Sequence, residues 1–130
     1  MGFIPISLEL ERVAAEVVDS AFKVHSALGP GLLESVYEIC LAHELHRRGF
    51  EFQSQVALPI VYEGIRLDAA LQMDLVVEQA LIVEIKAAET LLPVFEAQLL
   101  TYLKLTGNRL GLLINFNVPR IKEGIKRIIL

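Results

Sequence analysis

Leu71-Gln72-Met73-Asp74-Leu75-Val76-Val77-Glu78-Gln79-Ala80-Leu81-Ile82-Val83-Glu84-Ile85-Lys86 is the stretch whose reading decides the fold. It reads as two β-strands and a tight turn. Strand side chains alternate faces, so Met73, Leu75 and Val77 share one side of the first strand, and Leu81, Val83 and Ile85 one side of the second. If both apolar rows enter one core, odd-numbered residues pair with odd-numbered ones. That requires a turn of odd length, about three residues, or a bulge. The same register brings Asp74 roughly across from Glu84 on the opposite face, with Lys86 one pleat further along.

A Glu-x-Lys triplet alone is an ordinary solvated strand pattern. Here the three charges lie in the most apolar, β-branched part of the chain, where an unpaired buried ion is costly. Two carboxylates at one point suit a hard divalent cation such as Mg²⁺, which keeps several waters and needs few protein ligands. A neighbouring lysine can orient, or help deprotonate, one of those waters.

The rest of the chain supplies helices and further strands. Residues 1–6 read as a loose arm, with Ser7 as an N-cap. Leu10, Ala14, Val17, Ala21, Val24 and Leu28 then recur at helical spacing up to Gly29-Pro30-Gly31. His25, beside that stripe, reads as a core histidine with one hydrogen-bonded nitrogen. A second helix is expected from about Leu32 to Arg48, ending at Gly49, with Leu33, Val36, Tyr37, Cys40, Leu41 and Leu45 buried. Glu34 in its first turn favours the positive end of the helix dipole. Two strands follow, Gln55 to Tyr62 and Ile65 to Ala69, about a Glu63-Gly64 turn.

Beyond Lys86, Pro93 opens a helix that Gly107 closes, with Phe95, Leu99 and Leu103 on its packing stripe. Gln98 and Tyr102, four apart, lie on one face. Arg109 to Phe116 reads as a buried strand reached by a helical crossover, hence parallel to the Glu84 strand. Ile121, Ile125 and Ile128 suggest a last short helix over Arg120 to Ile129.

Length and composition set bounds. At 130 residues the chain is read as one domain spanning 1–130. An apolar content of 54% and a mean hydropathy of +0.51 are high, yet no apolar run approaches a membrane span. A well-filled core or an interface between two copies is therefore expected. The lone Cys40 sits at an apolar helix position without zinc-ligand neighbours and is read as core. With no secretory signal at the start, a reducing, cytoplasmic location is expected. The net charge of −4 disfavours a nucleic-acid binder, but residues 104–130 carry +5 against −9 for the remainder. That basic segment reads either as a phosphate contact or as an ordinary solvated face.

Asp74 followed by Glu84-Ile85-Lys86 resembles the Asp…(Asp/Glu)-x-Lys signature of the PD-(D/E)xK nuclease superfamily. Gln98-Leu99-Leu100-Thr101-Tyr102 resembles the Gln-x-x-x-Tyr motif of its exonuclease branch. Gly31-Leu32-Leu33-Glu34-Ser35-Val36-Tyr37 is similar to the signature of the GxxExxY protein family, a small branch with this fold. The resemblance runs from about Val13 to Ile129, including Gly111 to Pro119. It implies an α/β, restriction-endonuclease-like fold: a central mixed sheet of four or five strands flanked by helices.

The resemblance also implies a function. Asp74, Glu84 and the Ile85 backbone carbonyl would hold Mg²⁺, or Mn²⁺ in its place, while Lys86 orients the attacking water. Glu34 becomes an outer metal ligand, in some members acting through water. Gln98 would contact phosphate or base of a nucleic acid, DNA foremost, with a supporting or stacking contact from Tyr102. Tyr37 packs in the core with its hydroxyl on a polar partner near the site. The position before the aspartate, often basic in the family, is Gln72 here. The rival expectation is a non-catalytic binding or assembly module on the same fold. A third is action on a nucleotide or other small phosphate.

Overall fold

The computed structural model describes residues 4–130, apart from the side chains at positions 69 and 70; the first three residues of the expected arm lie outside it. Ser7 caps α1 (Leu8–Leu28), its hydroxyl oxygen accepting from the Leu10 amide at 3.1 Å. Helix α2 runs Glu34–Arg47, starting two residues later than expected. Leu33, expected in the core, is therefore its N-cap and 74% exposed.

Three strands follow: β1 (Phe52–Tyr62), β2 (Ile65–Val77) and β3 (Leu81–Lys86), each antiparallel to the one before. Helix α3 (Pro93–Thr106) opens on its proline and closes at Gly107, whose φ is 77°. Strand β4 (Leu110–Asn115) then pairs parallel with β3, Glu84 lying beside Leu113 and Lys86 beside Asn115. The sheet is mixed and five-stranded, in the order β1-β2-β3-β4-β5.

The turn between β2 and β3 has the odd length that the apolar rows demanded. Val77 pairs with Leu81 and Leu75 with Val83, leaving residues 78–80 outside the ladder. Two expectations need correction. The strand returning from Gly64 and the strand carrying Asp74 are one continuous thirteen-residue element, β2. The last segment is not a helix: a 3₁₀ turn (Ile121–Gly124) leads into β5 (Ile125–Ile129), antiparallel to β4. Its isoleucines fit helical spacing, but β-branched residues beside the open edge of β4 pack better as a strand. Alternation is visible in its ion pairs, Lys126 reaching Glu96 of α3 and Arg127 reaching Glu11 of α1.

Helices α1 and α2 cover one face of the sheet, where Val17, Ala21, Tyr37, Leu41 and Leu45 pack on Leu75, Leu81, Val83, Ile85 and Ile114. Helix α3 covers the other, with Leu99, Tyr102 and Leu103 on Val76, Ile82 and Leu113. Gly111 lets α3 sit close, since a methyl group there would meet the Leu99 side chain at 2.9 Å. Met73, expected beside Leu75, packs instead with the α3-side cluster. The change of side falls opposite Gln55, whose φ of 52° interrupts the extended backbone of β1. The outer part of the β1–β2 ribbon reaches past β3 and exposes Val61, Tyr62, Ile65 and Leu67.

Candidate active site

The candidate site forms where β2 and β3 part. Their regular pairing ends at Leu75–Val83, and beyond it two carboxylates replace the ladder. Glu84 accepts from the backbone amide of Asp74 at 3.3 Å, and Asp74 accepts from the backbone amide of Ile85 at 2.8 Å. Each acid is held by the backbone beside the other. The orphaned strand amides are thereby satisfied without a third strand.

The electrostatics follow from this closeness. Glu84 is only 4% exposed. Burial first, then the charge of Asp74 and a hydrogen bond to it, push the Glu84 carboxyl up to about 9. At neutral pH Glu84 therefore keeps its proton in the absence of a cation. Burial, aided by the same two acids, pushes the Tyr102 hydroxyl up to about 12.

Lys86 ends β3 with its ammonium 4.6 Å from the centroid of the Phe95 ring of α3. The segment after it is fixed by Asn115, a residue not singled out from the sequence. Asn115 is buried, accepts from the Ala88 amide at 3.0 Å and donates to the Ala88 carbonyl at 2.9 Å. An asparagine ending an apolar strand was the available signal.

Helix α2 contributes a different acid from the one expected. Glu34 is exposed at the first residue of the helix, whereas Glu38, one turn on, is tied to the site. The Gln55 amide donates to both Glu38 oxygens, at 2.8 and 2.9 Å, and to Asp74 at 3.3 Å. Burial, with the charges of Asp74 and Glu34, raises the Glu38 carboxyl above its usual range, although the Gln55 hydrogen bond lowers it. Sequence spacing gave no sign of this link, which joins residues 17 and 19 apart.

Gln98 is half-buried, while the Tyr102 ring is only 2% exposed. Its hydroxyl donates to the Gln72 carbonyl at 3.3 Å, so Tyr102 supports the strand before Asp74 and its ring has no face free for stacking. Gln72 in turn donates to the Gln55 carbonyl at 3.5 Å.

Tyr37 is fully buried and stacks on Phe116 with centroids 4.6 Å apart. Its hydroxyl, expected near the site, instead donates to the Gly29 carbonyl and accepts from the Leu32 amide, pinning the α1–α2 loop. His25 is a core histidine, its Nε2 donating to the Val118 carbonyl at 2.8 Å. Cys40 is a free thiol packed against the core. Much of the basic C-terminal charge is engaged, in the two ion pairs of β5 and in Arg109, which donates to the carbonyls of Ile4 and Leu130.

Among the described residues no three His, Cys, Asp or Glu side chains converge to hold a metal as a group. The donors at the β2–β3 opening are two closely held carboxyl groups, of which Glu84 keeps its proton at neutral pH until a cation offsets the charge. Such a pair fits a hard ion that retains most of its water. No helix among the described residues is long and apolar enough to cross a membrane.

Compared with known proteins, residues 11–128 match the sequence model of the PD-(D/E)XK nuclease superfamily. No curated protein matches the chain. Among solved structures it is similar to the crystal structure of SSO0001, with a TM-score of 0.56 and 22% identity. That likeness covers 94% of this chain and 60% of the other, and it shows a shared fold.

Proposed function

Because the chain belongs to the PD-(D/E)XK nuclease superfamily, we propose that it is a metal-dependent nuclease hydrolysing phosphodiester bonds in nucleic acid, DNA foremost. Members of this superfamily generally use divalent metals. The observation that carries the proposal is the docking of the two carboxyl groups on backbone amides of the facing strand, Glu84 on the amide of Asp74 and Asp74 on that of Ile85, with Glu84 two residues before Lys86. Mg²⁺, or Mn²⁺ in its place, is the ion we assign to the pair, with the Ile85 carbonyl as a further oxygen. When bound, it supplies Lewis acidity, lowering the pKa of a water and offsetting charge on the phosphate.

The protein's own groups do the rest. Asp74 and Glu84 would hold the cation, Glu84 releasing its proton to solvent as it does so. Lys86 orients the attacking water, which loses a proton to solvent as its oxygen bonds to phosphorus, while the bond to the leaving sugar oxygen breaks and that oxygen takes a proton from solvent. Gln98, on the half-buried face of α3, contacts the substrate, and Tyr102 holds the strand that carries Asp74. The Gly31-x-x-Glu34-x-x-Tyr37 segment supports placement in the GxxExxY branch, with Glu34 in reach of the ion only through water. Action as a pair of chains in the cytoplasm completes the reading.

Calorimetric Mn²⁺ binding to wild type and to a folded Asp74→Asn/Glu84→Gln variant tests it. Binding abolished in the variant, followed by cleavage of DNA or RNA by the wild type, is the expected result. A wild type that binds no Mn²⁺ refutes it. One observation favours the rival reading, a non-catalytic assembly module: the apolar residues Val61, Tyr62, Ile65 and Leu67 stand exposed on the outer ribbon. That reading predicts self-association or partner binding that is indifferent to metal.

A further inference from the structure

Four non-glycine residues among those described have left-handed backbones, and three of them, Glu63, Glu78 and Gln79, lie in turns. Gln55 is the fourth, inside strand β1. A side-chain-bearing residue held at φ 52° within a strand costs on the order of 1 kcal/mol and persists only where its surroundings enforce it. The residue opposite is Asp74, the first acid of the proposed site. The register of β1 with β2 brackets the two, with Ser54 beside Leu75 and Val56 beside Met73.

The contacts show what the unusual backbone achieves. The Gln55 side chain is aimed at Glu38 of α2 and Asp74 of β2, with Nε2 within 2.8, 2.9 and 3.3 Å of three carboxylate oxygens. Two acceptor-only groups fix the orientation of the amide, since its oxygen in that place would be repelled by both. The amide thus joins acids from two elements and takes up negative charge that otherwise pushes them apart.

We infer that Gln55 is a positioning residue. It holds the outward oxygen of Asp74 and the carboxylate of Glu38 in one array, so that Glu38 stands as the α2 acid at the rim of the Asp74–Glu84 pair. The inference rests on the reading of that pair as the metal-holding site. Gln55 itself touches neither ion nor substrate. The left-handed backbone is what turns its amide toward both acids.

The test separates backbone from amide. Gln55→Gly accepts the left-handed backbone without strain but has no amide, and Gln55→Ala lacks both advantages. Thermal unfolding in EDTA and calorimetric Mn²⁺ titration are measured for both, and for Glu38→Gln alone and combined with Gln55→Gly. The expected pattern is a Gln55→Gly protein at least as heat-stable as wild type that binds Mn²⁺ about tenfold more weakly. Adding Gln55→Gly to Glu38→Gln should weaken binding by less than it does in the wild type, because part of the Gln55 effect runs through Glu38 and the rest through Asp74. Mn²⁺ affinity of Gln55→Gly within twofold of wild type overturns the inference, as does a loss of affinity only in variants that lose stability. A wild type that binds no Mn²⁺ overturns the metal reading and carries the inference down with it, whereas a binding wild type with an indifferent Gln55→Gly sinks the inference alone.

Discussion

Glu84→Gln should stabilise the metal-free protein. In the native chain the Glu84 carboxyl titrates near 9, against an ordinary 4.5. Its folded-state pKa is raised, so the native state binds the proton more tightly than the unfolded state, and stability falls as pH rises from about 4.5 to 9. Each pH unit in that window removes about 1.4 kcal/mol, so the cost reaches about 3 kcal/mol at pH 7. Glutamine is neutral in both states, can accept from the Asp74 amide and can donate to the Asp74 carboxylate. The variant should therefore gain up to about 3 kcal/mol at pH 7, a Tm rise of about 10 °C for a chain of this size, and under 1 kcal/mol at pH 5.

Glu38, also raised, contributes with the same sign. The lowered carboxyls of Glu9 and Glu44 act on the other side, their contributions being lost only as pH falls below about 4.5. Urea denaturation of both proteins in EDTA between pH 5 and 9 is the assay. Equal pH slopes for the two proteins, or a variant less stable than wild type at pH 7, would refute the reasoning. Adding Mg²⁺ should narrow the gap by stabilising only the wild type.

Asp74→Ala and Lys86→Ala should each lower phosphodiester hydrolysis at least about 100-fold with circular dichroism unchanged; an Asp74→Ala protein that cuts DNA at the wild-type rate would remove Asp74 from the site. Tyr37→Phe leaves the Leu32 amide and Gly29 carbonyl without their shared hydroxyl, and should cost about 1–3 kcal/mol in urea denaturation while Mn²⁺ affinity stays constant. Gly124→Ala discriminates the observed C-terminal strand from a helix. A helix would gain roughly 1 kcal/mol, but here the new methyl group runs into the Asn115 carbonyl oxygen, so chemical denaturation should show a loss of more than about 1 kcal/mol.

The Asp74–Glu84 juxtaposition was legible in the sequence because Leu75 and Val77 must share a core with Leu81, Val83 and Ile85, which leaves one class of register; Met73, counted in the same row, lies on the other face beyond it. The punctuation of α3 by Pro93 and Gly107, and the parallel pairing of β4, followed from equally local rules. Strand β5 was hidden because Ile121, Ile125 and Ile128 satisfy a helical period, and the open edge of β4 that recruits them exists only in three dimensions. Glu34 attracted attention through its motif, while Glu38 is drawn in by Gln55, a partner on another element whose backbone conformation no residue pattern announced. Tyr37 was rightly placed in the core, yet its hydroxyl serves a loop eight residues upstream.

Surface turns usually absorb insertions freely, because they carry little packing. The three residues between Val77 and Leu81 do not share that freedom. One residue added or lost there rotates every side chain of β3 by half a turn, sending Glu84 into the layer beneath α1 and α2 and Ile85 to the place facing Asp74. Two residues at a time preserve the arrangement. Along this stretch the chain can change length only in even steps, a counting rule imposed by chemistry some five residues away on an otherwise permissive surface.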